Sequence, residues 1–159
     1  MRRVVTGHDA AGTAKVVFDG EAANVRSSGR GRTSTLIWCT DATPAGIAIG
    51  ESIEDMGART LGTPPPPNGT RFTINEIAPG TSGAFHRTET LDYVIVISGE
   101  IDMELDDGCV TLTAGDVLIQ RGTAHRWMNR GTIPARIAFF LIDAVALGIR
   151  DDVLRSGPP

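Results

Sequence analysis

The sequence is poor in the features that mark several specialised classes of protein. Its net charge of -4 and pI near 5.3 leave no basic excess, and nucleic-acid binding needs a clustered basic surface. No stretch approaches the roughly 18 apolar residues of a membrane span, and residues 1–9 lack the apolar run of a signal peptide. We therefore expect a cytoplasmic protein that binds neither nucleic acid nor membranes.

Cysteine is also scarce. Cys39 and Cys109 have no CxxC spacing and form no disulfide framework, so we expect both to be small buried hydrophobic residues in a reducing compartment. The 159 residues have the usual size of one domain, and at this length roughly 70% of the unfolded surface can be buried. The sequence therefore predicts a single domain with an ordinary hydrophobic core.

Short strand patterns recur along the whole chain. Residues 101–105 alternate apolar and acidic side chains, which is typical of a strand with one solvated face. Many short strands separated by turn residues indicate an all-β sandwich or barrel. The predicted strands are residues 2–6, 13–18, 33–39, 71–77, 93–98, 101–105, 110–112, 117–119, 125–129 and 136–142.

Two regions depart from this pattern. Residues 62–69 contain four consecutive prolines, which cannot join a strand ladder and indicate a stiff polyproline-like connection. Residues 144–155 have a weak helical spacing and predict a short C-terminal helix. We expect N-terminal strands and a proline-rich loop over residues 1–70, a barrel core over 71–142 and a tail over 143–159. Phe72 and Ile74 are expected to fill the barrel.

The chain has only three histidines, and two of them lie in segments with a characteristic glycine spacing. The matching positions are Gly80, His86 and Gly99 in the first segment, and Gly115, Gly122, His125 and Asn129 in the second. Together these segments resemble the paired motifs of the cupin superfamily, in particular small single-domain bacterial cupins with a conserved barrel. The resemblance covers about residues 71–142 and implies a jelly-roll β-barrel with His86 and His125 facing its interior.

Three motif positions depart from the family pattern. Thr88 stands in place of the second histidine, Asp92 in place of the glutamate and Gln120 in place of the proline. Because side chains alternate across a strand, His86, Thr88 and Asp92 share parity and are expected to face one way. Glu89 has the opposite parity and is the weaker replacement.

The resemblance implies that His86, Asp92 and His125 hold a divalent metal ion such as Fe, Zn, Mn or Ni. Two histidines and one carboxylate with open positions suit non-haem Fe(II), and three protein ligands plus water suit catalytic zinc. The alternative is a metal-free cavity in which both histidines are hydrogen-bonded polar groups. Both interpretations stay open from the sequence.

Other residues are predicted to contact a ligand. Thr88 lies in the first motif, and Trp127 and Asn129 share a face with His125, although Trp127 suits the core equally well. Arg121 is the predicted clamp for an acidic substrate. The flanking arginines at positions 87 and 126 are alternatives, and each such arginine is more commonly a solvated surface residue.

The sequence favours a small-molecule enzyme with acid–base chemistry of the lyase or isomerase type: dehydration, isomerisation, cyclisation or decarboxylation. His86 or His125 would transfer the proton, and Asp92 would orient the histidine or balance its charge. The alternatives are a non-haem Fe(II) dioxygenase and a non-catalytic module that binds a small ligand. We also expect a homodimer, because the N-terminal strands would otherwise leave exposed edges.

Overall fold

The computed structural model describes residues 1–50 and 53–148. Those residues form eleven strands and a short 3-10 turn at Met56–Ala58. In chain order the strands are β1 (Arg2–His8), β2 (Ala14–Glu21), β3 (Val25–Ser27), β4 (Arg32–Thr40), β5 (Thr70–Ile77), β6 (Thr90–Ser98), β7 (Glu100–Leu105), β8 (Gly108–Thr113), β9 (Val117–Arg121), β10 (Arg126–Met128) and β11 (Ala135–Asp143).

Two antiparallel sheets enclose the core. One has six strands in the order β3-β4-β5-β11-β6-β9, and the other has three in the order β10-β7-β8. A single hydrophobic cluster joins them, with Ile137 and Phe139 from the larger sheet packed among Ile101, Met103 and Trp127 of the smaller. This architecture confirms the predicted all-β, cupin-like barrel of jelly-roll type. Strands β3 and β4 add to the larger sheet from outside the predicted core of residues 71–142.

The register of the larger sheet places polar groups at one end of the barrel interior. On β6, Asp92 is buried and Tyr93 is exposed, as period-2 alternation requires. Leu141 pairs with both Arg71 and Asp92, and Asp92 pairs with Gln120 across the edge strand β9. Because directly paired residues share a face, Arg71, Asp92 and Gln120 lie in one row facing the interior.

The two N-terminal strands form a hairpin, which is a separate two-stranded sheet, β1-β2. Arg3 ties the hairpin to the barrel, because its Nη1 donates to the carbonyl of Ile37 over 3.1 Å and its Nη2 lies 2.5 Å from the carboxylate of Asp55. The guanidinium of Arg3 also stacks over the ring of Phe18. The buried side chain of Arg3 thus links the hairpin to β4, and the Gly50 N–H adds a backbone hydrogen bond to the carbonyl of His8 over 3.1 Å.

Several local predictions are corrected. Phe72 does not fill the barrel: it stacks on Phe140, with ring centroids 4.1 Å apart, while Thr73 beside it is the buried residue. Cys39 is buried but Cys109 is exposed. Residues 144–148 form no helix, and the rest of the predicted C-terminal helix lies outside the described residues. Among the residues that the structure describes, no helix is long and apolar enough to cross a membrane.

Candidate active site

A small cavity of about 80 Å³ lies between the two sheets. It brings together residues from five strands and three loops, and its lining mixes polar and charged groups with an apolar floor. The lining residues are Arg32, Thr63, Arg71, Thr73, Asn75, His86, Thr88, Asp92, His125, Trp127, Phe139 and Leu141. The structure thus gathers at one cavity the three residues predicted to be catalytic, His86, Asp92 and His125.

The two motif histidines are direct neighbours. Their backbones form a reciprocal bridge, with both N–H to carbonyl distances at 2.8 Å, and their ring centroids are 4.5 Å apart. Nδ1 of His86 contacts the carbonyl of Ala84, and Nδ1 of His125 contacts that of Thr123, each over 3.0 Å. Because a carbonyl oxygen only accepts hydrogen bonds, Nδ1 must carry the proton in both rings. In the neutral rings, Nε2 is therefore the free acceptor.

The pair spans the boundary between solvent and interior. His86 is exposed, whereas His125 is only 2% exposed. Burial lowers the pKa of His125 to about 4; the hydrogen bond to Thr123 opposes this shift, and the nearby charges of His86 and Arg32 add to it. His125 is therefore neutral at pH 7, while His86 is open to proton exchange with water.

Asp92 is a buried carboxyl group on β6. Within the described part of the chain, its Oδ1 has no hydrogen-bond partner, and neither amide atom of Gln120 on β9 has one. Burial raises the pKa of Asp92, and this shift is opposed by a hydrogen bond from Thr90 and by the charge of His86. The cavity thus holds a carboxyl group that is easier to protonate than an exposed aspartate.

Comparison with known proteins places this arrangement in a family. The Cupin domain family matches residues 73–142. Phomopsin biosynthesis cluster protein C' of Diaporthe leptostromiformis is 35% identical over 96% of this chain and 83% of its own length. The chain belongs to the cupin family. The cupin-domain-containing oxidoreductase fogC of Aspergillus ruber is 33% identical over 89% of this cupin and 71% of its own length.

Solved structures show the same fold. An RmlC-like cupin from Shewanella frigidimarina superposes with a TM-score of 0.52 at 15% identity, covering 84% of this chain and 91% of its own. KdgF from Halomonas sp. gives a TM-score of 0.51 at 15% identity, covering 81% of this chain and 89% of its own. At such identities the likeness concerns the fold alone. The relatives by sequence named above are fungal, so these comparisons support the cupin superfamily and not the bacterial type within it.

Trp127 and Thr88 line the cavity of this cupin, as the sequence predicts for ligand-contacting residues. The Trp127 ring meets His125 edge-on, with centroids 5.9 Å apart, and meets Phe139 in the same way at 5.4 Å. The hydroxyl oxygens of Thr88 and Thr90 lie 2.8 Å apart, within hydrogen-bond distance. Trp127 therefore serves the core and the cavity at once.

Asn129 and Arg121 do not line the cavity. The amide nitrogen of Asn129 donates to the carbonyls of Ile77 and Ile133 over 2.8 and 2.9 Å, and its oxygen accepts from the N–H of Gly131. All its polar atoms are thus engaged in holding the turn after β10. Arg121 is exposed at the end of β9, because alternation on that strand turns its neighbour Gln120 inward.

The cavity residues that the sequence did not single out include the polar side chains of Arg32, Arg71 and Asn75. The signal of Arg71 and Asn75 was present in the alternation of β5, where the inward positions are polar at 71, 73 and 75 and the outward positions include Phe72 and Ile74. The pattern is inverted relative to an ordinary barrel strand, because the apolar side faces out. Taking the apolar side for the core therefore hid these residues.

A larger cavity of about 640 Å³ lies outside the barrel, between the N-terminal hairpin, β4 and the loop around Ile47. Its charged groups neutralise one another. Arg59, which lines it, is ion-paired with Asp41 and Glu54 at 2.8 and 2.6 Å. We therefore assign the chemistry to the smaller cavity, where the histidine pair lies.

The donor atoms at the cavity suit a metal ion only in part. Across residues 1–50 and 53–148, no three His, Cys, Asp or Glu side chains lie close enough together to share an ion. The two imidazoles offer their Nε2 atoms, and their carbonyl-bound Nδ1 atoms resemble the outer contacts of histidine ligands. Asp92 is not gathered with them as a third ligand. Metal binding by His86, Asp92 and His125 stays a prediction.

Proposed function

We propose that this cupin is an enzyme that moves a proton on a small organic molecule bound in the barrel. The observation that carries this proposal is the His86–His125 pair, with both Nδ1 protons fixed on backbone carbonyls and both Nε2 atoms left as acceptors. Pairs of titratable groups whose environments differ are the usual basis of acid–base catalysis. One histidine is buried and one is exposed, so the pair meets this condition.

Each group has a distinct part in the proposed step. His125 is neutral at pH 7 and its Nε2 accepts a hydrogen bond or proton from the substrate. Asp92, whose pKa is raised by burial, balances the charge that develops on the imidazole. His86 exchanges its proton with water at the mouth. Removal of a proton at one substrate atom and its return at another is shared by dehydration, isomerisation and cyclisation, and decarboxylation ends in the same proton return.

The names of the relatives support action on a small molecule. One is a phomopsin biosynthesis cluster protein, and two others, fogC of Aspergillus ruber and virC of Hypocrea virens, are named cupin-domain-containing oxidoreductases. These names favour a second candidate function, an oxidoreductase, of which a non-haem Fe(II) dioxygenase is one form. The two candidates differ in whether turnover consumes an oxidant.

The test is solvent deuterium incorporation. The protein is incubated in D₂O with a panel of small organic acids, alcohols and ketones, with and without oxygen, and each compound is analysed by NMR and mass spectrometry. We expect deuterium uptake or product formation that persists without oxygen. The His125→Asn variant should lower it by about 10²-fold or more, as is typical for loss of a general base.

The matched control is His8→Asn, because His8 lies on β1 in the N-terminal hairpin, away from the cavity. This variant should keep the wild-type rate. Consumption of one oxygen molecule per turnover would replace the proposal with the oxidoreductase. Tight binding of a compound that is never converted would favour a non-catalytic binding module.

A further inference from the structure

Two arginines, Arg32 and Arg71, line the cavity, and neither has a carboxylate partner within residues 1–50 and 53–148. Arg71 lies on β5 in the same interior row as Asp92 on β6. Leu141 of the intervening strand β11 pairs with both residues. Its Nη1 donates to the carbonyl of Thr63 over 2.6 Å, and its buried Nε has no hydrogen-bond partner among the described residues. The proline-rich connection thus orients Arg71 through a neutral carbonyl and leaves its charge uncompensated.

Arg32 approaches the cavity from the opening residue of β4. It is half-buried, and its positive charge reaches His125, whose pKa it helps to lower. No ion pair joins Arg32 to an acidic residue in the part of the chain that the structure describes. Burial lowers the pKa of both Arg32 and Arg71, as expected for guanidinium groups that have lost water without gaining a counter-ion.

The charges lining the cavity do not balance. Of the described lining residues, Asp92 alone is acidic, while Arg32 and Arg71 are both basic. With Asp92 ionised the lining carries one net positive charge, and with Asp92 protonated it carries two. Unpaired buried charge is costly to a protein and is normally compensated by a partner. An anion from outside the chain would supply that partner.

We propose that Arg32 and Arg71 hold a carboxylate group of the substrate inside the barrel. This inference deepens the proposed function by naming the class of substrate, a small organic carboxylate. Guanidinium groups match the planar fork of a carboxylate. The cavity of about 80 Å³ is smaller than the roughly 300–1,000 Å³ of complete ligand sites. It therefore encloses the charged end of the substrate, and the remainder extends toward exposed His86.

The experiment uses acetate as the probe, acetamide as its neutral isostere and inorganic phosphate as a second oxyanion. Each is titrated into the full-length chain at constant ionic strength with chloride, and binding is measured by calorimetry and by the shift in melting temperature. We expect acetate to bind and to raise the melting temperature, acetamide to have no effect, and phosphate to bind more weakly than acetate.

The variants Arg32→Met and Arg71→Met remove the charge and keep much of the side-chain length. Each should weaken acetate binding about tenfold or more, the effect of losing a hydrogen bond to a charged group. Arg136→Met is the control, because Arg136 lies on β11 outside the cavity with 41% of its side chain exposed. It should bind acetate like the wild type.

A second measurement separates ligand binding from a structural role. Because each arginine is a half-buried cation without a counter-ion among the described residues, its removal should leave the melting temperature of the ligand-free protein unchanged or higher. A fall of the ligand-free melting temperature in both variants, with acetate affinity retained, would overturn the proposal. Arginine-dependent binding of phosphate in preference to acetate would overturn the carboxylate assignment.

The outcome is also distinguishable from that of the proposed function. His125→Asn should keep acetate binding, since it leaves both arginines in place, while it lowers turnover by about 10²-fold or more. Arginine-dependent acetate binding without any catalysed reaction would sustain the carboxylate site and remove the enzyme proposal. Turnover of neutral substrates by a protein that does not bind acetate would sustain the enzyme proposal and remove the carboxylate site.

Discussion

His125 is predicted to remain neutral to a much lower pH than an ordinary histidine. Its ring is 2% exposed and lies edge-on to Trp127, so protonation would place a cation in an apolar environment already facing Arg32. We expect its titration midpoint near the value of about 4 that burial imposes. The measurement is a ¹H–¹³C NMR titration of protein without a histidine tag, in the presence of chelator. The chain contains three histidines, and the His125→Asn variant assigns the signal.

The same shift makes stability depend on pH. Below pH 6.5 the unfolded chain binds a proton at His125, while the folded chain does not until about pH 4. The unfolded state therefore binds more protons in this window, and stability falls as the pH falls. A shift of the His125 pKa from 6.5 to about 4 changes the free energy of unfolding by about 3 kcal/mol between high pH and a pH well below 4. About 2 kcal/mol of this is lost by pH 5.

Urea unfolding at pH 7 and pH 5 tests this magnitude. The wild type should lose about 2 kcal/mol more unfolding free energy between these pH values than His125→Asn does. The difference between the two proteins cancels contributions from groups such as Asp92, whose raised pKa acts in the opposite direction. An NMR midpoint at or above about 6, or equal pH dependence of both proteins, would refute the burial argument.

Three further predictions concern the carboxyl group, the assembly and the metal. Asp92→Asn should lower turnover. It should leave the free energy of unfolding at pH 7, measured with urea, unchanged or higher by about 1 kcal/mol, because the buried Oδ1 has no partner among the described residues. Light scattering should give twice the chain mass of 16.8 kDa, and a monomeric wild type would contradict the homodimer. Elemental analysis should show up to one divalent ion per chain if His86, Asp92 and His125 bind it, and metal retained in both His86→Ala and His125→Ala would place the site elsewhere.

Much of the fold could be predicted from local patterns. Alternation in β7 and the turn residues after it indicate a half-buried hairpin, and the hairpin β7–β8 forms with Leu105 paired to Gly108. The three residues of β3 carry no alternation long enough to detect, and they are held by pairing with β4. Strand β4 is irregular between Leu36 and Trp38. Such a bulge shifts the inward face by one residue, so parity read from sequence fails across it.

The candidate site could be predicted only where motif spacing fixed it. His86 and His125 meet because the spacing of glycines around them places both on facing chain segments, joined by a backbone bridge. Arg32 and Arg71 were missed because they lie outside these segments, and Arg71 also because its strand β5 carries Phe72 and Ile74 on the outer face. On that face Phe72 stacks on Phe140, its cross-strand neighbour in β11, and lines the larger cavity together with the N-terminal hairpin. Burial on both faces of a strand removes the contrast on which the prediction depends.

The departures from the cupin motif and the two cavity arginines are physically related. A divalent metal ion and a pair of guanidinium groups both supply positive charge that holds an oxyanion. Thr88 removes one imidazole from the motif set, and no three potential ligand side chains cluster in the described residues. Arg32 and Arg71 place positive charge in that same cavity. On the proposed carboxylate site, the arginines take over substrate binding, and His86 and His125 are then free to accept and release protons.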